Sequence, residues 1–386
     1  MIPDPAHPIN RTTLPAVGEP APWFHGRCTT NPQFCFDTVA GRYVVLCFYA
    51  TAGDATGQHV IHEFVANRDR FDDNNACFFG ISIDPLDEQL DRVRELLPGI
   101  RYFWDFDHKI SRLYGAIVRQ ELAPPAAVVS RRCTLVLDER LRVLAAFHID
   151  ADPNTHVSRV LDFLGTLPAL AAPRVAPVQA PILVVPNVFE PELCRQLMDY
   201  YDVHGGRDSG FMRDVNGKTA SMIDYGHKRR RDCDISDESL RRACMVRIHD
   251  RLAPEILRAY QFHATRMERY IVGCYDATES GHFRAHRDNT TLGTAHRRFA
   301  VSLHLNTGEY EGGYLRFPEF GRQLYVAPVG GAVVFSCSLL HEATPVTRGR
   351  RYVFLPFLYD DEAAQIREQN RCFLTNGTSP LPDLRS

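Results

Sequence analysis

The chain has 386 residues, more than one hydrophobic core usually serves, so two domains are expected. Apolar residues make up 45% and charged residues 24%, ordinary values for a soluble globular protein. A net charge of −3 gives no global attraction to nucleic acid or to an anionic membrane, and no apolar run approaches the length of a membrane span.

The opening, Met1 to Pro8, lacks the basic and apolar regions of a signal peptide. The 11 cysteines are scattered without paired spacing, and Cys47, Cys77 and Cys274 fall within apolar strand runs. An odd count so placed points to reduced thiols and a cytoplasmic location. Arg42 to Ala50 is a continuous apolar run, as expected of a strand buried on both faces. A helix is expected over Gln58 to Phe71, a strand over Cys77 to Asp84, and a second helix over Leu86 to Leu97. A short strand at Tyr102 to Asp105 and a helical turn at His108 to Tyr114 follow. Arg132 to Asp138 and Arg142 to Ile149 form a hairpin, closed by a helix over Asn154 to Leu164. This is an α/β, thioredoxin-like order.

With the opening Val17-Gly18-Glu19-Pro20-Ala21-Pro22-Trp23-Phe24, the stretch from about Val17 to Leu167 resembles the peroxiredoxins. In that family the turn after the first long strand holds a Thr and, three residues on, the peroxidatic Cys. Here those positions are Asp54 and Gly57, and glycine supplies no thiolate. Cys47 sits inside the apolar strand as a small core residue. Arg132 stands where relatives keep an arginine for the thiol, and without that thiol it has no evident partner. The domain, residues 1–167, is therefore expected to be non-catalytic, serving docking, substrate presentation or homodimerisation. Thiol peroxidase activity is the lesser alternative. A Pro- and Ala-rich linker is expected over 168–181.

The second domain, 182–386, starts with a helix from Pro191, with Leu193, Leu197 and Tyr201 at spacing four. Another helix opens after Ser236, with Leu240, Cys244, Ile248 and Leu252 on one face. Between them Gly205 to Asp234 is polar and Gly-rich, with an Asn216-Gly217 hairpin turn and the basic run Lys228-Arg229-Arg230-Arg231. That run suits an acidic peptide or phosphate-bearing partner, but a solvated strand edge is the reading preferred on sequence. Short strands then recur: Ile271 to Tyr275, His282 to His286, Phe299 to Asn306, Gly312 to Phe317, Gly331 to Ser336 and Arg351 to Phe357. Such runs, punctuated by Gly, Pro and Asn, point to an all-β barrel or sandwich.

Strand alternation places His286 and Asp288 side by side. With His341 they would offer two imidazoles and one carboxylate to one face of a metal, leaving the other face open, which suits non-haem Fe(II). Arg351 then offers a planar cationic fork for the distal carboxylate of a 2-oxo diacid. The pattern His286-x-Asp288, then His341-Glu342-Ala343-Thr344-Pro345-Val346-Thr347-Arg348-Gly349-Arg350-Arg351-Tyr352, resembles the 2-oxoglutarate- and Fe(II)-dependent oxygenases, in their prolyl 4-hydroxylase-like branch. The resemblance covers about Pro181 to Asp361. It implies a double-stranded β-helix (jelly roll) with flanking helices. It implies Fe(II) on His286, Asp288 and His341, with 2-oxoglutarate, O2 and ascorbate as the companion small molecules. Arg350 and Arg351 both lie at the family's spacing for the basic residue. Arg351 is preferred because it directly precedes an aromatic, and alternation turns Arg350 to solvent.

Three further positions follow from the resemblance. Tyr275 matches a tyrosine that hydrogen-bonds the co-substrate, the alternative being a half-buried barrel tyrosine. His304 stands where relatives often hold a tyrosine against the distal carboxylate, the alternative being a satisfied core histidine. Asn289 is either a substrate contact or a turn former. Halogenating relatives lack the carboxylate that Asp288 retains, so hydroxylation is implied. The substrate expected is a peptidyl or protein residue, as for prolyl hydroxylases. A free amino acid or natural-product intermediate is the alternative, and a redox-sensing or scaffold fusion the reading of another class.

Overall fold

The computed structural model describes residues 11–120, 127–149 and 153–374. Met1 to Pro8 lies outside them, as do the outer ends of both expected domains. The chain divides into two compact units, 2–173 and 174–386. Residues 168–182, at their junction, form neither helix nor strand. Among the described residues no helix is long and apolar enough to cross a membrane.

The N-terminal unit is built on a five-stranded sheet ordered Ile100–Trp104, Ala76–Ser82, Tyr43–Ala50, Cys133–Leu137, Val143–His148. The first three strands run parallel, and the last two form an antiparallel hairpin. Val45, Cys47 and Tyr49 pack on one face, while Val44, Leu46 and Phe48 pack on the other. Burial on both faces is why this strand reads as an unbroken apolar run. The first helix spans Ala55–Ala66 and stops short of Phe71, because Asn67 caps it and Arg68–Arg70 tightens into a 3-10 turn. The expected helix over Leu86 to Leu97 shrinks to Pro85–Gln89. Asp84 caps it, but Asp91 adopts a positive φ of 52°, which a helix cannot continue through.

Asp54 does two things at the turn after the first long strand. Its carboxylate accepts from Gly57 N at 2.8 Å, capping the helix, and it pairs with Arg132, whose Nη1 lies 2.9 Å from Oδ1. Arg132 therefore has a partner, which the sequence reading did not supply: a carboxylate stands in for the absent thiolate. Gly57 is itself fixed by packing, since a Cβ there would meet the carbonyl oxygen of Thr51 at 1.8 Å. Burial pushes the thiols of Cys28, Cys47 and Cys77 up to about 12, the reverse of what a peroxidatic thiol needs.

The C-terminal unit is a sandwich of two antiparallel sheets, a jelly roll. The larger is ordered Leu183–Val185, Ala332–Ser336, Phe299–His304, Arg350–Phe354, Ile271–Asp276, Arg231–Asp234, Arg207–Asp208, with Arg266–Glu268 and Phe357–Tyr359 branching from it. The smaller is Lys228–Arg229, His282–His286, His341–Ala343, Leu315–Arg316, Leu324–Tyr325. Tyr275 and Val353 of one sheet meet Phe283 and Ala343 of the other in a shared core. The helices Pro191–His204 and Glu238–Arg247 support the outer face of the large sheet, packing Leu193, Leu197, Cys244 and Met245 in one core with Val272, Val301 and Leu303. A hairpin, Phe211–Val215 with Lys218–Met222, turns on Asn216 and Gly217, both at positive φ as a two-residue turn requires.

Restoring the missing thiol as Gly57→Cys is expected to lower stability by about 1–3 kcal/mol, through overpacking against Thr51, without conferring peroxidase activity. Thermal melting of the full chain and hydrogen peroxide consumption measure the two effects.

Candidate active site

His286 and His341 face one another as a register pair on adjacent strands, with ring centroids 4.3 Å apart. Asp288 follows just beyond the strand end, where its N–H donates to the Cys337 carbonyl at 3.0 Å. Asp288 Oδ1 lies 3.5 Å from His286 Nε2, and its Oδ2 lies 3.3 Å from His341 Nε2. One ligand atom from each of the three falls within 4.8 Å of the others. His286 Nδ1 donates to the Arg284 carbonyl at 2.7 Å, and His341 Nδ1 donates to the Leu339 carbonyl at 3.0 Å. A carbonyl can only accept, so Nδ1 holds the proton and each Nε2 presents a lone pair. Burial, with His341 beside it, lowers the His286 imidazole to about 4, so its ring is neutral at physiological pH. Burial opposes ionisation of Asp288, yet the two histidines hold its carboxyl well below the usual range. Among the described residues no lysine or arginine pairs with this carboxylate. Three electron-pair donors thus converge on one point, an arrangement that a divalent cation relieves. Phe283 stacks on His286 at 3.5 Å and Phe335 flanks His341 at 4.5 Å, which fixes both rings.

Across the sandwich, a second register pair joins Tyr275 to Arg351. Arg351 is 1% exposed. Its Nη2 donates to Ser302 Oγ at 2.9 Å, its Nε has no hydrogen-bond partner, and its guanidinium lies 5.0 Å from the Tyr275 ring centroid. No carboxylate pairs with it among the described residues. Arg350 turns the other way, exposed, and binds Asp276 at 2.8 Å. Gly313, at a positive φ of 64°, lies against this site: a Cβ there would meet Arg351 Cδ at 2.9 Å.

A cavity of about 860 Å³ is lined by His286, Asp288, His341, Tyr275, Ser302 and Arg351 together. His304 departs from the expectation, because it does not line the cavity. It is fully buried, with Nδ1 3.0 Å from Tyr310 Oη, and burial together with the nearby Arg351 holds its ring well below the ordinary histidine range. Ser302, two residues earlier on the same strand, makes the contact to Arg351 instead; nothing in its sequence context marks it. Asn289 likewise lies off the cavity, donating to Ser338 Oγ at 2.9 Å. The basic run departs from a solvated edge: Lys228 and Arg230 are buried and line the cavity, while Arg229 and Arg231 are exposed.

Comparison with known proteins agrees with this geometry. Residues 17–146 match the AhpC/TSA family, and residues 270–359 match the 2OG-Fe(II) oxygenase superfamily. A peroxiredoxin 2 of Caldanaerobacter subterraneus subsp. tengcongensis is 28% identical over 203 residues, covering 49% of this chain and 88% of that protein. PKHD-type hydroxylases of two Synechococcus strains are 33% identical over 88 residues, covering 21% of this chain and 38% of each. A prolyl-4-hydroxylase structure from Pseudomonas putida aligns over 52% of this chain and 97% of its own, at 17% identity and a TM-score of 0.35. The chain thus matches the AhpC/TSA family in its N-terminal unit and the 2OG-Fe(II) oxygenase superfamily in its C-terminal unit. That oxygenase family implies Fe(II), 2-oxoglutarate and O2, and supports a 2-oxoglutarate-dependent hydroxylase.

The neutral state of His286 has a measurable consequence. The unfolded imidazole titrates near 6.5 and the folded one near 4, so the unfolded state binds more protons between these values. Metal-stripped protein is expected to lose stability as pH falls through that window, by about 3 kcal/mol from this group. In His286→Gln this part of the pH dependence, read by urea unfolding, is absent.

Proposed function

We propose that the C-terminal unit is an Fe(II)- and 2-oxoglutarate-dependent dioxygenase that hydroxylates a C–H bond of a peptidyl residue, proline foremost. The observation that supports this best is Arg351, a buried guanidinium without a carboxylate, lining the same cavity as three converging metal-type donors. A buried cation left unpaired is costly, and an anionic co-substrate removes that cost. His286, Asp288 and His341 are the residues to hold Fe(II). When bound, Fe(II) with 2-oxoglutarate and O2 supplies oxidative decarboxylation to succinate and CO2, one oxygen atom entering succinate and the other the substrate C–H bond.

The chain's own part is binding, orientation and exclusion of water. Arg351 takes the distal carboxylate of 2-oxoglutarate, and Ser302 holds the guanidinium in place for it. Tyr275, opposite Arg351 in register, lines the same cavity. Phe283 and Phe335 shield the two histidines from bulk water. Phe211, Met212 and Ser221 of the hairpin form part of the wall, which suits closure over a bound peptide.

Ascorbate completes the proposed set of small molecules as an auxiliary reductant. The eleven cysteines are all free thiols, which fits a reducing cytoplasm. The peroxiredoxin-like unit, with Gly57 in the thiol's place, is proposed to dock or present substrate or to pair with a second copy of the chain. That extra unit and the hairpin favour a macromolecular substrate over a free amino acid or natural-product intermediate.

Anaerobically Fe(II)-loaded protein is expected to release succinate and CO2 from 2-oxoglutarate when O2 is admitted. His341→Ala should fall to background, and Arg351→Lys should keep a remnant with poorer two-point geometry. Failure of the Fe(II) protein to bind 2-oxoglutarate at all would contradict the reading.

A further inference from the structure

Lys228 to Arg231 alternates in and out of the unit. Arg231 pairs at the surface with Glu279 at 3.1 Å, and Arg229 is exposed beside it. Lys228 and Arg230 are 5% and 8% exposed and line the cavity. The two inward cations meet at Ser209 Oγ, which lies 2.7 Å from Lys228 Nζ and 3.2 Å from Arg230 Nη2. Lys228 otherwise donates to the Gly210 carbonyl at 2.6 Å, so its hydrogen-bond acceptors are all neutral. Its ammonium sits 4.6 Å from the Phe283 ring centroid, and that same ring stacks on His286. One aromatic ring therefore separates Lys228 from the candidate metal centre.

Charge is not balanced here. Asp232 is the carboxylate of the cluster, and it already accepts from Arg230 Nε at 2.6 Å, Arg230 Nη2 at 2.7 Å and Arg269 at 3.3 Å. Glu268, further along the cavity wall, is taken by Arg297 and His296. Burial and the neighbouring Arg230 press the Lys228 ammonium well below its ordinary range, a penalty that a bound anion relieves. Arg230 has Nη1 to spare, its nearest acceptor being Tyr275 Oη at 3.4 Å.

We propose that Lys228 and Arg230 form a carboxylate-binding subsite for the substrate, so that the molecule hydroxylated holds an acidic group close to the reacting carbon. This rests on the oxygenase reading and refines its substrate class. Lys228 Nζ and Arg230 Nη1 are the two donors this reading assigns to the two oxygens of a carboxylate. The carboxylate has two chemical sources: an acidic side chain beside the hydroxylated residue of a peptide, or the α-carboxylate of a free amino acid.

Calorimetric titration of the full chain, loaded with Mn(II) and 2-oxoglutarate, distinguishes them. The probes are N-acetyl-Asp-Pro amide against N-acetyl-Asn-Pro amide, and L-proline against L-prolinamide. The expected result is a preference of about ten-fold or more for the acidic member of one pair. The preference is lost in Lys228→Met and retained in Lys228→Arg. A peptide preference assigns the side-chain source, and a proline preference assigns the free amino acid. Equal binding within both pairs, binding by no probe, or a preference that survives Lys228→Met overturns the subsite. The wild-type ratios decide alone if Lys228→Met does not fold. Titration of 2-oxoglutarate into the Mn(II) protein separates the two readings: binding there without any acid preference overturns the subsite only, whereas no binding overturns the oxygenase reading beneath it.

Discussion

A guanidinium buried to 1% exposure and given no carboxylate among the described residues is the constraint around which the C-terminal unit is arranged. An isolated buried charge is expensive, and Ser302 offsets only part of that expense with a neutral hydroxyl. Much of what surrounds Arg351 serves to keep it in place and pointed inward. Gly313 leaves room for its stem, Tyr275 lies beside it in register, and the helices behind the large sheet fix the strand it sits on. On the proposed function, that cost is offset when the distal carboxylate of the co-substrate binds.

The sandwich joins that site to the metal donors by pairing across strands. His286 and His341 are partners on the small sheet, and Tyr275 and Arg351 are partners on the large one. Each pair is set by backbone register, so neither depends on a loop finding its place. The Nδ1 hydrogen bonds to strand carbonyls then fix both imidazole tautomers before any ligand arrives. In the N-terminal unit the same economy of backbone points elsewhere. Asp54 and Arg132 pair at the turn after the first long strand, and at Gly57 the chain packs too tightly for a side chain.

The convergence of His286, Asp288 and His341 and the inward turn of Arg351 were legible in the sequence because strand alternation and fixed spacing determine where such side chains point. The order of strands and helices in the N-terminal unit was legible for a related reason, since runs buried on both faces and turn residues are local signals. What failed was set by distant partners. The helix expected to Leu97 ended at Gln89 because the backbone turns left-handed at Asp91, an Asp that no periodicity flags. Arg132 found Asp54 from 78 residues away. His304 carried the right position but its ring is turned to Tyr310, and Ser302 has no motif at all. Four adjacent basic residues read as solvated, yet two short strands place Lys228 and Arg230 inside, where only the folded sheet reveals them.

On the proposed function, Arg351 is the receptor for the second carboxylate of a 2-oxo diacid. The most direct measurement compares 2-oxoglutarate with 2-oxovalerate, which lacks that carboxylate, binding to the Mn(II)-loaded wild type and to Arg351→Met. Wild type is expected to prefer 2-oxoglutarate by roughly ten- to a hundred-fold, as a charged hydrogen bond supplies, and Arg351→Met to bind the two alike. Equal affinities in the wild type, or an undiminished preference in Arg351→Met, would contradict it.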